Sequence, residues 1–435
     1  MKDKVLIVGS GVAALAAALA AQKSGQEVTL VVSRPGASAL MSGTWDVARD
    51  PHRHATDAWE DLRPARKILP LIIRQQKNHP YSILQQSMAI EDVGVFLEKA
   101  IVEFAQAIHL PLVGSLDESH VAPSGWGTVK ETSFVPKGLA GGNVLKMNHA
   151  HLLVVGLGAS LNFDADFIMQ SLRGYKNNNY FSEIKTAQLN FKKSDFSSIF
   201  DMARWLEEEE GENQILEGLQ GLVKTHQPTH ILLPPVLGLE GHQRLYDKIS
   251  EVTHCVCFES LATPPSVHGW RLQYLIAQAV EAHKISMVHG VVKGFKREGR
   301  LLRVALMENG QETMGVPFDL CILATGRFMC QGLEKRGSFF QEPLCHLPLF
   351  DGEQWVTKTF SGKLTRKAYF DSHPLFSVGL RVNSDMRPLD DKGDLCYDNL
   401  WVAGSIIGGY ATAWSGCGMG VAIGTGKLAG ETRGQ

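Results

Sequence analysis

The opening of the chain alternates between apolar runs and glycine turns. Residues 5–8 and 28–32 are short apolar runs, and residues 12–23 between them are rich in alanine. Short apolar runs predict buried strands, and the longer stretch predicts a helix. Gly25 can end that helix. The pattern therefore predicts a strand–helix–strand unit, the opening of a doubly wound sheet.

Further along, strands and helices are predicted around two insertions. Residues 85–108 predict a helix, residues 110–136 a β-rich insertion and residues 152–258 an α/β insertion. Apolar side chains between residues 272 and 280 recur at helical spacing, after a capping Ser266. Strands are predicted at residues 287–295, 301–307, 320–324 and 400–403, and a small-residue helix at 416–431.

Composition excludes several classes of function. The chain has 435 residues with a formal net charge of −2, so it has no basic excess that would indicate nucleic-acid binding. Its seven cysteines form no C-x-x-C pair, which argues against an iron–sulfur cluster or structural zinc and predicts free thiols in a reducing compartment. No apolar run is long enough for a membrane span, and glycines interrupt the only leader-like segment.

A glycine turn at residues 9–14 follows the first predicted strand and opens the first predicted helix. Gly9 permits a tight turn, and Gly11 lets the backbone approach a pyrophosphate at the helix N-terminus. Ser10 and Val12 complete the turn, and Ala14 stands at the third small position. We therefore predict that these five residues bind a dinucleotide or a flavin.

The end of the second strand departs from the usual pattern. An acidic residue that binds ribose is expected about 20 residues after the turn, but Ser33 and Arg34 stand there. Ser33 can bind a hydroxyl and Arg34 can face a phosphate. This departure weakens the case for NAD and leaves the ribose contact open.

Two later strands end in turns that favour a flavin. Ala324, Thr325 and Gly326 form an A-T-G turn of the kind found in flavoproteins with two dinucleotide-binding domains. Gly404 and Ser405 follow the last strand, where such proteins place an A-G-D sequence at the ribityl chain. A helix that begins near Gly416 would direct its positive end at the flavin ring.

Three other patterns are weaker signals. Residues 154–158 resemble a second strand with a GxG turn, but Leu161 replaces the third glycine, so a strand-end turn is the preferred interpretation. His52 with His54, and His149 with His151, have spacings that suit a metal on a strand. They lack neighbouring carboxylates or cysteines, so we interpret them as surface histidines and predict no metal site.

Together, these features predict an α/β fold: a Rossmann-like flavin-binding domain of the glutathione-reductase type with an inserted α/β cap. The flavin-binding domain is predicted to be discontinuous, with residues 1–50, 266–340 and 385–435. The cap, which would contact substrate and partners, is predicted to comprise residues 51–265 and 341–384.

The chain resembles the B subunit of the anaerobic glycerol-3-phosphate dehydrogenase over most of its length. The glycine turn is common to many families, whereas the other matching stretches are more specific. They are residues 42–46 (SGTWD), 79–82 (HPYS), 153–158 (LVVGLG), 233–235 (LPP), 264–267 (PPSV) with Gly269 and Arg271, 404–409 (GSIIGG) and 416–418 (GCG). The missing acid after strand two and Ser405 in place of aspartate are also similar to that family.

This resemblance implies a flavoprotein subunit that oxidises sn-glycerol 3-phosphate to dihydroxyacetone phosphate and passes electrons to quinone. It implies FMN as the cofactor, although the glycine turn suits FAD as well. It further implies a larger FAD-bearing catalytic subunit and an iron–sulfur subunit that anchors the complex to the membrane. The chain would then be a cytoplasmic protein held at the inner face of the cell membrane. Ser42 and Gly43 join the predicted cofactor-binding residues.

Substrate chemistry leaves alternatives open. A catalytic subunit needs a base and cations for the phosphate, and the candidates are His79, Arg271, Arg327 and Arg387. Alternatively, the chain is a relay and assembly subunit whose flavin never meets substrate. A third interpretation is an FAD-dependent oxidoreductase of the fumarate-reductase type.

Overall fold

The computed structural model describes residues 2–50, 52–53, 59–158, 163–174, 179–310, 312–368 and 371–431. Its α-helices are α1 Val12–Lys23, α2 Ala65–Gln75, α3 Pro80–Leu84, α4 Ile90–Ala107, α5 Lys137–Ala140, α6 Ala165–Arg173, α7 Ile199–Trp205, α8 Glu209–His226, α9 His242–Thr253, α10 Val267–Ala282, α11 Thr412–Ser415 and α12 Gly418–Glu431. Its strands are β1 Lys4–Val8, β2 Glu27–Val32, β3 Leu112–Gly114, β4 His120–Pro123, β5 Val129–Thr132, β6 Phe134–Pro136, β7 Ala150–Leu157, β8 Phe181–Leu189, β9 His230–Leu233, β10 Val256–Glu259, β11 Ser286–His289, β12 Val291–Glu298, β13 Leu301–Asn309, β14 Glu312–Pro317, β15 Leu320–Leu323, β16 Glu334–Arg336, β17 Phe339–Gln341, β18 Phe350–Asp351, β19 Gln354–Trp355 and β20 Leu400–Val402.

A parallel five-stranded sheet in the order β11–β2–β1–β15–β20 lies in the larger hydrophobic core. Strand β1 pairs with β2 on one side and with β15 on the other. Parallel sheets are covered on both faces, which explains the continuous apolar character of β1, β15 and β20. Since all five strands run in one direction, their carboxyl ends share one edge of the sheet. Ligands of open α/β sheets bind outside that edge.

Helices α1 and α12 cross in close contact because small residues meet at the crossing. A Cβ on Gly426 would lie 2.5 Å from the carbonyl oxygen of Ala13, and one on Gly430 would lie 2.2 Å from that of Ala17. Such distances exclude any larger side chain without a backbone shift. Gly420 and Gly424, one turn apart in the sequence of this helix, face Tyr81 and Leu97 instead.

A second parallel sheet, in the order β10–β9–β7–β8, has its own apolar clusters. Helices α6, α8 and α9 connect its strands along the chain. The predicted α/β fold with an α/β insertion is therefore confirmed, although the proposed domain limits stay a prediction. The predicted β-rich insertion consists of two hairpin-like pairs, β3 with β6 and β4 with β5.

Several element boundaries differ from the prediction. The strand predicted at 287–295 is two strands, because the chain leaves the parallel sheet at Gly290 (φ +156°) and enters the antiparallel sheet β12–β13–β14. Helix α2, which contains Pro70, was not predicted from the sequence. The helix predicted at 85–108 begins at Ile90.

Among the described residues, no helix combines the length and apolar character that crossing a bilayer requires.

Candidate flavin site

The glycine turn lies at the carboxyl end of β1. Gly9 has a φ of +146°, and a Cβ there would lie 2.3 Å from the carbonyl oxygen of Ala324. Gly11 caps α1, and no side chain accepts a hydrogen bond at this cap. The N–H groups of Val12 and Ala14 in the first turn of α1 therefore have no side-chain cap and remain available to an anion.

The A-T-G turn ends β15 beside the glycine turn. The amide of Ala324 donates to the carbonyl of Val8 at 2.9 Å, which fixes the two strand ends together. Gly326 has a φ of +72°. The hydroxyl of Thr325 is buried and has no hydrogen-bond partner among the described residues. Since an unpaired buried hydroxyl costs about 1–3 kcal/mol, a bound group that pairs with it would stabilise this site.

The third element of the site follows β20. Ser405 Oγ lies 3.6 Å from the position that a Cβ on Gly326 would occupy, so the turns after β15 and β20 are adjacent. Gly404 (φ +77°) packs against Ala13 of α1. The structure therefore brings the predicted residues of three separate turns to one edge of the sheet.

Helix α12 begins at Gly418, two residues later than predicted. Gly416 does not open that helix; it adopts a left-handed conformation (φ +51°) that ends α11. A Cβ on Gly416 would lie 2.8 Å from Cβ of Arg49, so the glycine allows residues 46–49 to approach the start of α12.

The loop after β2 covers the glycine turn. Ser10 Oγ donates to the carbonyl of Arg34, and the Arg34 guanidinium donates to Gln331 Oε1 at 2.7 Å. Ser33 is exposed at the end of β2. Gly36, which was not among the predicted site residues, packs against Gly11: a Cβ there would lie 2.7 Å from its Cα. The proline–glycine pair at residues 35–36, which is typical of a turn, is the sequence feature from which this position could have been identified.

A polar cluster lies in the SGTWD stretch. Lys130 Nζ donates to Thr44 Oγ1 at 2.6 Å and to Asp46 Oδ2 at 2.7 Å, and Ser42 Oγ lies 3.5 Å from the same ammonium group. Asp46 Oδ1 is buried with no partner among the described residues. The amide of Gly420 donates to the carbonyl of Asp46 at 3.1 Å, so the cluster lies beside the start of α12. Lys130 was not predicted as a site residue because it is 84 residues from Asp46.

Gly43 connects this cluster to the second sheet. It has a φ of +108°, and a Cβ there would lie 2.9 Å from Cδ2 of His268 in α10. His268 in turn contacts the residue after β10, because its Nε2 lies 3.0 Å from the carbonyl oxygen of Ser260.

His79 is fully buried, contrary to what a freely accessible base requires. Its Nδ1 accepts from the amide of Tyr81 at 3.1 Å and caps α3, and its Nε2 lies 3.6 Å from Sγ of Cys417. Burial lowers the pKa of the imidazole to about 3. These contacts favour a structural role for His79.

Arg271, which the sequence suggested as a cation for the phosphate, is already engaged by other groups of the protein. Arg271 is buried and forms a bidentate pair with Glu259, at 2.6 Å and 3.0 Å. Its Nε donates to the carbonyl of Gly238 at 2.8 Å. The neighbouring sequence of Arg271 does not indicate this pair, because it forms only where the end of β10 faces the start of α10.

The Arg271–Glu259 pair is the centre of a buried cluster with His242 and His268. Burial by itself raises the pKa of Glu259, but the charges of Arg271 and His242 outweigh it and hold the pKa at about 2. Burial, together with the charge of Arg271, lowers the pKa of each histidine to about 4. Both histidines are therefore neutral beside an ionised pair at neutral pH.

Arg327 and Arg387 also bind backbone carbonyl groups. Arg327 donates to Ile407 at 2.8 Å and to Tyr410 at 3.0 Å, and its guanidinium lies 4.9 Å from the centre of the Tyr410 ring. It therefore fixes the segment after Ser405. Arg387 donates to the carbonyl of Asp398, which precedes β20. Its guanidinium thus lies towards the opposite end of that strand from the turns, a position that contradicts a role at the reacting centre.

The three turns at the carboxyl edge of the sheet present groups that suit a flavin. The uncapped start of α1 offers N–H groups to phosphate, Thr325 offers an unpaired hydroxyl, and Ser405 offers a second hydroxyl to the same edge. These residues would hold phosphate and sugar hydroxyls of the cofactor.

The structure describes only part of the GxG-like segment at residues 154–158 with Leu161 and of the histidine pairs. Gly158 (φ +53°) ends β7, but Leu161 and His54 lie outside the described residues. Within the described ranges, no group of three or more His, Cys, Asp or Glu side chains could hold a metal ion.

Curated relatives match the chain over nearly its whole length. The B subunit of the anaerobic glycerol-3-phosphate dehydrogenase of Mannheimia succiniciproducens is 25% identical and aligns over 98% of this chain and 96% of the relative. The protein of the same name from Pasteurella multocida is 23% identical, with 99% of each chain covered. The one from Vibrio cholerae is 24% identical, with 98% and 95% covered.

Solved structures resemble the chain more distantly. A flavocytochrome c3 fumarate reductase in its open conformation has a TM-score of 0.44 and 12% identity, covering 99% of this chain and 78% of that one. The 3-ketosteroid Δ1-dehydrogenase of Sterolibacterium denitrificans has a TM-score of 0.41 and 11% identity, covering 99% of both chains.

The family model described as an FAD binding domain matches residues 4–421. This match supports FAD as the cofactor and gives no support to FMN. The chain therefore belongs to the FAD binding domain family, and it is a flavoprotein of the oxidoreductase class.

Proposed function

We propose that this protein is the B subunit of an anaerobic glycerol-3-phosphate dehydrogenase and that it oxidises sn-glycerol 3-phosphate to dihydroxyacetone phosphate. The observation that carries the proposal is the alignment over nearly full length with relatives of that name. The cradle of three turns at the carboxyl edge of the flavin sheet supports it, since that is where a flavin would be bound.

Bound FAD would supply the acceptor for the hydride that leaves C2 of the substrate. The protein must then take up the hydroxyl proton. His79 is poorly suited because its Nδ1 already accepts from the amide of Tyr81 and burial lowers the pKa of its imidazole to about 3. Asp46 is a better base, since Lys130, which also donates to the hydroxyl of Thr44, holds one carboxylate oxygen in place and leaves the other unpaired. Lys130 would stabilise the charged carboxylate before it accepts the proton.

We propose that electrons leave through other chains, since the sequence holds no cluster-ligand spacing of its own. We propose a larger FAD-bearing subunit and an iron–sulfur subunit as partners, with quinone as the final acceptor. These partners would hold the chain at the cytoplasmic face of the membrane.

A second candidate function is an electron-relay subunit whose flavin never meets substrate. One specific observation favours it: Arg271, Arg327 and Arg387, the expected phosphate anchors, are all engaged with carbonyl or carboxylate groups of the protein. The two candidates differ in whether this chain alone responds to substrate.

The test is anaerobic addition of sn-glycerol 3-phosphate to the purified chain with its flavin bound. Bleaching of the flavin absorbance supports the dehydrogenase. Full flavin occupancy without bleaching, while the assembled complex turns over, supports the relay.

Asp46→Asn with Lys130→Met as its companion tests the chemical step. Asp46→Asn should slow bleaching at least a hundredfold, on the scale of a lost general base, and keep the flavin bound. Glu118→Gln with Lys146→Met is the matched control, because that exposed pair at 2.7 Å lies outside the cluster. Equal bleaching rates in Asp46→Asn and the control would contradict the role of Asp46.

A further inference from the structure

A cavity of about 400 Å³ lies beside the segment that follows Ser405. The chain around residues 77–86, the turn at 350–352, the segment 380–393 and the glycines at 408–409 line it. Its volume falls in the range of small-molecule sites. Gly409 is the fourth residue after Ser405, so the cavity wall and the flavin cradle are at most about 14 Å apart along the chain.

The lining of this cavity is cationic, although the chain as a whole has a net charge of −2. Lys77, Arg381 and Lys392 line it, against the single carboxylate of Asp391. In the described part of the chain, none of these three cations forms an ion pair within 4.0 Å. Three cations and one anion in one concave wall attract an anion.

Arg381 is held in a fixed orientation. Its guanidinium lies 4.4 Å from the centre of the Phe350 ring, and one Nη donates to the carbonyl of Asp390 at 2.6 Å. Its Nε is buried and has no partner among the described residues. A guanidinium fixed on an aromatic face loses little side-chain entropy when it binds a phosphate with two hydrogen bonds.

The backbone that carries Lys392 is also fixed. The carboxylate of Asp390 accepts from the amides of Lys392 and Asp394, both at 2.9 Å, and Gly393 takes a φ of +91° to close this turn. On the neighbouring strand-like segment, Asn383 accepts backbone amides through its Oδ1, which leaves its NH₂ group as a donor. The wall therefore presents charged groups and amide donors from a rigid turn.

We propose that this cavity binds the phosphate monoester of a small polyol, with the phosphate against Lys77, Arg381 and Lys392. The choice of a polyol phosphate rests on the proposed function, whereas the anion site itself rests on the lining alone. The site replaces the three arginines that the sequence suggested as phosphate anchors.

The test uses the full chain with its flavin bound and isothermal titration with three probes: sn-glycerol 3-phosphate, inorganic phosphate and glycerol. We expect both phosphates to bind and glycerol not to bind. The double variant Lys77→Gln/Lys392→Gln should weaken both affinities at least tenfold. Lys192→Gln/Lys224→Gln is the control, because these two lysines are also exposed and lie outside the cavity lining.

The outcomes separate the cavity from the reaction. Phosphate binding that the double variant weakens, without flavin bleaching by the substrate, supports the cavity and overturns the proposed oxidation. Flavin bleaching with unchanged phosphate affinity in the double variant supports the oxidation and overturns the cavity. Equal binding of glycerol and the two phosphates also overturns the cavity. Arg381→Lys gives a further check, since a lysine cannot reproduce the planar donor pair.

Discussion

Breaking the buried pair of Arg271 and Glu259 should destabilise the protein without removing its flavin. Arg271 makes two charge-assisted hydrogen bonds to Glu259, at 2.6 Å and 3.0 Å, and a third bond to Gly238. Arg271→Met leaves a buried carboxylate with no cation, which costs about 3–5 kcal/mol. Arg271→Lys keeps the charge but loses the planar fork, so we expect a smaller cost of about 1.5–3 kcal/mol.

The assay is urea unfolding followed by fluorescence, with bound flavin measured on the same samples. Arg303→Lys is the matched control, because its ion pair with Glu298 is exposed and should contribute at most about 1 kcal/mol. Flavin content per folded molecule should stay unchanged in all three variants. A free energy of unfolding for Arg271→Met within about 1 kcal/mol of wild type would refute this reasoning.

The pH dependence provides a second check of the same pair. The folded pKa of Glu259 is about 2, below its ordinary value of 4.5. The pair therefore contributes its full stability above pH 4.5, and that contribution is lost as pH falls towards 2. In Arg271→Met the carboxyl group lacks its cation and takes up a proton more readily. The cost of the variant should therefore shrink between pH 7 and pH 5.

Three further predictions concern four single substitutions, two of which are compared with each other. Gly11→Val should fold and lose flavin, because the nearest heavy atom to its Cβ is 3.6 Å away, whereas Gly9→Ala should lose stability because its Cβ would lie 2.3 Å from the carbonyl oxygen of Ala324. Flavin absorbance and thermal melts distinguish the two variants, and a Gly11→Val protein that keeps its full flavin content would contradict the proposed flavin cradle. Gly426→Ala should lower the free energy of unfolding by about 1–3 kcal/mol through the carbonyl of Ala13, and unchanged urea unfolding would show that the α1–α12 contact can relax. The buried His79, with a folded pKa of about 3, stabilises the protein above pH 6.5 and loses that contribution as pH falls. Between pH 6.5 and pH 4 the free energy of unfolding of His79→Asn should therefore fall less than that of the wild type, by on the order of 3 kcal/mol, and parallel pH curves for the two proteins would count against this prediction.

The local parts of the flavin site could be predicted without the structure. The turn at Gly9 and Gly11, the A-T-G turn and Gly404 with Ser405 were all identifiable, because each depends on neighbouring residues: an apolar strand, a residue that tolerates an unusual φ, and a helix or turn start. Since parallel strands end at one edge, their convergence could also be predicted. The helix after Ser266 was predictable for the same local reason, and its capping bond to Gly269 is 2.9 Å.

Which charged residues are available to a ligand depends instead on the tertiary fold. Arg271 is near the start of a helix, where sequence patterns suggest a free side chain, yet Glu259 at the end of β10 engages it fully. Lys130 and Asp46 are 84 residues apart and meet only because the β4–β5 pair lies against the SGTWD loop. Periodicity and turn propensity carry no information about such long-range pairs, since these depend on how separate elements pack. The physical reason is that a charge is neutralised by whichever group the fold places within a few ångströms of it.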